Sequence, residues 1–228
     1  KTTLSGDFED DDLVTGAGED LDITGMEENA YHVVVANDYA VLDGFWIVGG
    51  GAVDGSTGST SINGKRVTYS RGGAVSVSEV TGVKIKNSVL YGNQTYSGAG
   101  DGSSLGGAIY GFNTLGLEIE NCVFENNKSR LGGGIATLHS SNSWLYSSSI
   151  KITNTVFAGN RALTSGGAIT FNTSYGGTEN IITNSTFYNN HCVNVGGGLF
   201  ITKEQPIVLS NTVFSQNESG DEDYLHIY

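Results

Sequence analysis

The densest chemistry in this chain stands near its N-terminus. Asp7, Glu9, Asp10, Asp11 and Asp12 crowd five carboxylates into six positions, and closely spaced carboxylates beside glycine suit a hard, oxygen-seeking cation such as Ca2+. The spacing lacks the bidentate glutamate that ends an EF-hand loop, so a solvated acidic loop is the competing reading. A second group is aromatic. His139, Trp144 and Tyr146 share one long insertion and Tyr175 lies in another. Such rings offer a stacking platform for a sugar, or cover for an apolar flank.

Other reactive side chains give weaker signals. None of His32, His139, His191 and His226 has a partner at a metal-ligand spacing, so neither a metal nor a base role is expected of them. The pairs Glu118/Glu120 and Asp38/Asp43 are the candidates for glycoside cleavage, but the glutamates stand among lysines and read as salt-bridge partners. Lys65, Arg66 and Arg71 near Asp54 are a poor match to the carboxylates and basic residue expected of a polysaccharide lyase. No catalytic residue is assigned. Cys122 and Cys192 fall two coils apart in the repeat described next, about 10 Å along the axis, which exceeds disulfide reach. Two semi-buried thiols are expected.

The elements that must position these groups are set by a repeat. Gly-Gly-(Ala/Gly)-aliphatic begins at 72, 106, 132, 166 and 196, and each is followed by Asn-x-x-(Phe/Leu)-x-x-Asn. Self-similarity at this period is the mark of a solenoid. Within a unit the alternation has period two, as in Val83-Lys84-Ile85-Lys86-Asn87, where 83, 85 and 87 face one way and 84 and 86 the other. Aligned units then stack aliphatic on aliphatic, Phe124 on Phe157, Phe187 and Phe214, and Asn87 on Asn121, Asn154, Asn184 and Asn211. A flat stack of identical residues at one strand spacing is what a parallel β-helix produces. Outward residues alternate in sign, Lys84 with Glu118 and Lys151, and Lys86 with Glu120, as cross-strand pairs. Asn suits the left-handed corner conformation, and the glycine pair suits a tight turn.

The reading is therefore an all-β, parallel β-helix of about seven coils with open ends, right-handed as the family resemblance given below implies. Residues 1–30 form an acidic strand and loop leading into a solenoid at 31–228, whose clear repeats span 72–217. With 34 glycines and one proline the chain is too aperiodic for collagen. Its net charge of −13 disfavours nucleic acid and anionic membranes, and no apolar run is long enough to insert in a bilayer. The chain opens on Lys1 without a methionine and closes on a strand-like Tyr224–Tyr228, so a larger processed protein is expected.

The Gly-Gly-Ala-Ile and Phe-x-x-Asn units resemble the polymorphic outer-membrane protein repeat, and equally the bacterial extracellular parallel β-helix repeat proteins. The matching copies are Phe124–Asn127, Phe157–Asn160, Phe187–Asn190 and Phe214–Asn217, with Leu90–Asn93 a weaker one. The resemblance covers roughly 30–217 and implies an extracellular or cell-surface protein, often an adhesin. The expected function is a non-catalytic structural or adhesive module, with glycans or host and cell-surface proteins as partners. Alternatives are a carbohydrate-active enzyme, either lyase or hydrolase, and a fibre subunit that self-associates head to tail through open ends. Two acidic ends would oppose that last arrangement unless a cation bridged them.

Overall fold

Hydrophobic side chains at every second position bury only if successive strands lie in register, and the repeat length brings the chain back to the same place once per coil. The computed structural model describes residues 2–53, 58–95, 104–139, 149–173, 179–202, 206–220 and 225–227. Its main body is a stack of parallel sheets. A seven-stranded Phe sheet runs from Thr2–Ser5 through Phe45–Val48 and Val123–Glu125 to Val213–Ser215. A seven-stranded Gly sheet, entered from the glycine pairs, runs from Val34–Val35 through Ile135–His139 to Leu225–Ile227. A six-stranded charged sheet runs from Val41–Asp43 to Ile207–Ser210. A shorter fourth sheet holds Lys128–Leu131, Arg161–Ser165, His191–Cys192 and Glu218–Ser219.

The core is a set of columns. Phe124, Phe157, Phe187 and Phe214 stack with ring centroids 4.8, 4.8 and 4.5 Å apart. Ile85, Ile119, Ile152 and Ile182 are fully or almost fully buried beside them. The expected asparagine ladder is present, but at an exposed corner. Asn87, Asn121, Asn154, Asn184 and Asn211 all take positive φ, 48 to 54°, which ends the strand's alternation and turns the side chain outward. Asn121, Asn154 and Asn211 each donate Nδ2 to the Oδ1 one coil back, at 3.2, 3.2 and 2.7 Å.

The second asparagine of each unit makes the stronger column. Asn93, Asn127, Asn160 and Asn190 are fully buried. Each donates Nδ2 to the Oδ1 of the next coil at 2.8–3.0 Å. That same oxygen also accepts the backbone N–H of the preceding asparagine at 3.0–3.1 Å. A further Nδ2 bond reaches a main-chain carbonyl of the preceding coil, as from Asn160 to Phe124 O at 2.9 Å. Every polar atom of these amides is met inside the core, which removes the burial penalty.

The two glycines of a pair serve different needs. Gly132 has φ +61°, closed to most side chains. Gly133 has no such φ, but a Cβ there would run into the Gly167 carbonyl and the Arg161 backbone of the next coil. Outside, Lys84 meets Glu118 at 2.9 Å and Lys86 meets Glu120 at 3.4 Å, as the sign alternation requires. Cys122 occupies the corner column otherwise held by Ser88, Thr155 and Ser185, with Sγ 3.2 Å from Glu120 O. Burial pushes its thiol up to about 11. Both cysteines are fully buried rather than semi-buried, and neither is in a disulfide.

Two hairpins interrupt the pattern. Ser59–Ile62 pairs antiparallel with Lys65–Thr68 before the first glycine pair. Leu13–Thr15 pairs antiparallel with Asp22–Thr24 around a 3-10 turn at Gly18–Asp20. This second hairpin is a strap along the solenoid flank. Asn126 Nδ2 reaches Gly16 O, and Gly18 N donates to Gly159 O at 3.0 Å. Returning, Arg161 Nη1 donates to Leu21 O at 3.0 Å and Lys128 pairs with Asp22 at 3.2 Å. Leu21, Ile23 and Met26 form a small separate core beneath it. Glu19, Asp20 and Asp22 of the N-terminal acid therefore lie along the side of the stack.

The columns predict unequal losses. Asn160→Ala removes four side-chain hydrogen bonds and strands buried partners in both neighbouring coils, so it is expected to cost about 3 kcal/mol or more. Asn154→Ala leaves chiefly left-handed backbone strain, about 1 kcal/mol. Urea denaturation of the two variants measures the difference, and equal losses would deny the buried column its role.

Candidate functional site

The acidic corner is built where the first strand leaves the Phe sheet. Beyond Ser5, Gly6 N donates to Val48 O at 3.0 Å, Ala30 N to Gly6 O at 2.8 Å and Gly51 N to Ala30 O at 2.9 Å. These bonds stack three chain segments and bring Glu28 and Asn29 against the Asp7–Asp12 loop. Asp7 turns inward and caps its own loop: Oδ1 accepts the N–H of Glu9 at 3.2 Å and of Asp10 at 2.6 Å, and Oδ2 that of Asp12 at 3.3 Å. A short acidic side chain bonding main-chain N–H groups just ahead of it is the Asx-turn habit. Burial pushes the Asp7 carboxyl up, but the N–H groups of Asp12, Asp10, Asp11 and Glu9 outweigh it and hold the group below its ordinary value.

Three carboxylates converge here. Ligand oxygens of Asp7, Asp11 and Glu28 lie within 4.8 Å of one another. Of the five residues expected to hold Ca2+, Asp7 and Asp11 are in this cluster and Asp12 adjoins it, whereas Glu9 and Asp10 are not part of it. Glu28 was not foreseen, because 15 residues separate it from Asp12 and only the stacking of Gly6, Ala30 and Gly51 brings it in. Asn29 Nδ2 donates to both oxygens of Asp12, at 3.1 and 2.9 Å. Among the described residues Glu28 Oε1 and Asn29 Oδ1 have no hydrogen-bond partner. Desolvation first, and the charges of Asp7, Glu28 and Asp11 after it, push Asp12 up to about 6 despite the Asn29 bonds. The oxygen-only donor set has the chemistry of a hard divalent cation site.

The aromatic candidates Trp144, Tyr146 and Tyr175 lie outside the described residues. Their anchors do not. His139, at the end of its strand, pairs in register with Thr173, and the strands that follow the two insertions pair Lys151 with Ile181. Both insertions therefore leave and re-enter the stack at neighbouring rungs. His139 is half-buried, and burial holds its ring below its ordinary pKa.

Most remaining candidates have structural uses. Glu118 is ion-paired with Lys84, which holds its carboxyl below the usual range. Asp38 accepts Thr81 N at 2.8 Å and pairs with Lys65 at 3.3 Å, while Asp43 accepts Asn87 Nδ2 at 2.7 Å. Arg71 Nη1 donates to the Tyr110 hydroxyl at 2.7 Å. Asp54 lies outside the described residues. His32 is half-buried with Nδ1 2.9 Å from Gly72 O. His191 departs from expectation: the strap brings Glu19 to it, and Glu218 is its Cα partner in the next coil.

The comparisons agree with this architecture. The family model described as the right-handed β-helix region matches residues 42–222, and the chain belongs to that family. Its coils are thus right-handed. Neither the curated proteins nor the solved structures compared with it give a match. No helix among the described residues is long and apolar enough to cross a membrane.

Asp12 gives a pH prediction whose sign follows from its direction of shift. A carboxyl with a folded pKa of about 6 against an ordinary 3.8 binds its proton more tightly in the folded state. Its ionisation penalty is therefore absent below about pH 4 and fully present above about pH 6. In metal-free buffer Asp12→Asn is expected to raise Tm at pH 7.5 and to leave it unchanged at pH 4. Thermal scans of variant and parent at the two pH values check this; a gain independent of pH would remove the carboxylate explanation.

Proposed function

We propose that this chain is a non-catalytic structural and adhesive module that works outside the cell, a rigid β-helix presenting two aromatic insertions to a glycan or a cell-surface protein. The observation that carries the reading is the paired anchoring of those insertions, His139 opposite Thr173 and Lys151 opposite Ile181. The segment that carries Trp144 and Tyr146 and the one that carries Tyr175 are thus anchored on neighbouring rungs, and aromatic side chains suit a sugar ring or a hydrophobic side chain. The inward columns of Phe, Ile and Asn are occupied in holding the coils together, so recognition falls to what the repeat does not use. The likeness of the units to the polymorphic outer-membrane repeat supports surface display.

The test combines binding with turnover. Immobilised glycans and cell-surface protein fractions are screened for binding, and the same polysaccharides are incubated with the protein and scored for new reducing or unsaturated ends. Retained ligand without product, with affinity reduced at least tenfold by Trp144→Ala or Tyr175→Ala, is the expected result. Product formation would replace this reading with a carbohydrate-active enzyme. Concentration-dependent filaments without ligand binding would replace it with a fibre subunit.

A further inference from the structure

The fourth sheet and the strap face each other along a series of rungs, and their charges can be compared one at a time. The first position of the sheet reads Lys128, Arg161, His191 and Glu218 in successive coils. Lys128 meets Asp22 of the strap at 3.2 Å, and Arg161 meets the Leu21 carbonyl at 3.0 Å. Each of these rungs sets a cation on the solenoid against an acceptor on the strap. At the tip the pattern fails. Glu19 and Asp20 arrive opposite an imidazole and another carboxylate.

We propose that Glu19, His191 and Glu218 form a binding site for a divalent transition ion of the Zn2+ type, which fastens the tip of the strap to the solenoid. One ligand atom from each of the three lies within 4.8 Å of the others, although the residues come from three distant parts of the sequence. Backbone bonds hold all three segments: Gly18 N to Gly159 O at 3.0 Å, His191 N to Asn160 O at 2.9 Å and Glu218 N to Asn190 O at 3.0 Å. Ligands about 2.1 Å from a tetrahedral ion stand about 3.4 Å apart. Both glutamates are exposed, so rotation of their side chains closes the gap.

Two further observations point to a ligand. His191 Nδ1 is shut off from water and has no hydrogen-bond partner among the described residues. Burial holds the ring below its ordinary pKa, which keeps it in the neutral form that a metal requires. The three residues also line a polar cavity of about 230 Å3, with Asn189 and Gln216 in its wall. An imidazole with two carboxylates selects a borderline ion such as Zn2+, Co2+ or Ni2+ over Ca2+. This separates the site from the oxygen-only corner at Asp7, Asp11 and Glu28. The ion would supply at the third rung the positive charge that Lys128 and Arg161 supply at the first two.

The experiment uses the whole, untagged chain stripped of metal by chelation. Thermal unfolding is followed during titration with ZnCl2 and, separately, CaCl2, and Co2+ is added for its visible absorption. At hundredfold excess over Kd, Zn2+ is expected to raise Tm by about 5–10 °C and to slow amide exchange across residues 16–22. Glu19→Gln, on the exposed hairpin tip, is expected to weaken Zn2+ at least tenfold and to lose the shift, and His191→Gln to abolish the imidazole signature of the Co2+ spectrum. Three results would overturn the site: no Zn2+-dependent shift, a Zn2+ shift unchanged in Glu19→Gln, or a Zn2+ shift lost in Asp11→Asn.

Discussion

A side-chain amide buried among phenylalanines destabilises a core unless its two donors and its acceptor oxygen are all satisfied. The column Asn93, Asn127, Asn160, Asn190 meets that condition by using the neighbouring coil both above and below, with Asn217 supplying the last acceptor. The solution works only if each coil brings its asparagine to the same place, within a few tenths of an ångström, every turn. Register is thus imposed from inside. A slip by one residue would leave a buried amide unsatisfied and turn an inward face outward at the same time. The phenylalanine stack next to it supplies apolar area but tolerates sliding; the amides do not. Asparagine is the residue that fits, since aspartate would stack like charges and glutamine would overreach by one methylene.

Once the coils are locked at this column, their length elsewhere becomes free to vary. The intervals from glycine pair to closing asparagine differ between units, yet the pairs on both sides of each insertion remain in step, Ile135 with Ile169 and Lys151 with Ile181. Extra residues are accommodated where the chain passes from the Gly sheet to the charged sheet. The same constraint therefore explains both the rigidity of the stack and its tolerance of long insertions at this corner, where a binding surface can be added without disturbing the fold.

Much of this was legible in the sequence. The period, the outward alternation of Lys84, Glu118 and Lys151 and the phenylalanine column all follow from local spacing and survive unchanged. The asparagines were read only in part. A strict period of two puts Asn87 on the same side as Ile85, but its left-handed φ of 50° breaks the alternation and exposes it, so the heavier duty falls on Asn93 and its counterparts. The acidic corner was half legible: Asp7, Asp11 and Asp12 are neighbours in sequence, whereas Glu28 arrives through main-chain stacking of remote segments. Nothing local joins Glu19 to His191. That meeting depends on the docking of a hairpin against coils more than a hundred residues away, a tertiary event that no periodicity encodes.

The strap also changes the thermodynamic character of the stack. A solenoid whose coils touch only their neighbours behaves as a chain of coupled units, and it can fray from either end. Here one hairpin bonds to Lys128, Gly159 and Arg161 in turn, so opening any of these coils also costs contacts to residues 13–24. Separate local equilibria become a common one. The contacts are mostly polar and partly exposed, so their individual strength is modest and salt-sensitive, and their effect lies in spanning several coils at once. In a molecule held together by short-range columns, the N-terminal hairpin is the feature that makes distant coils depend on one another.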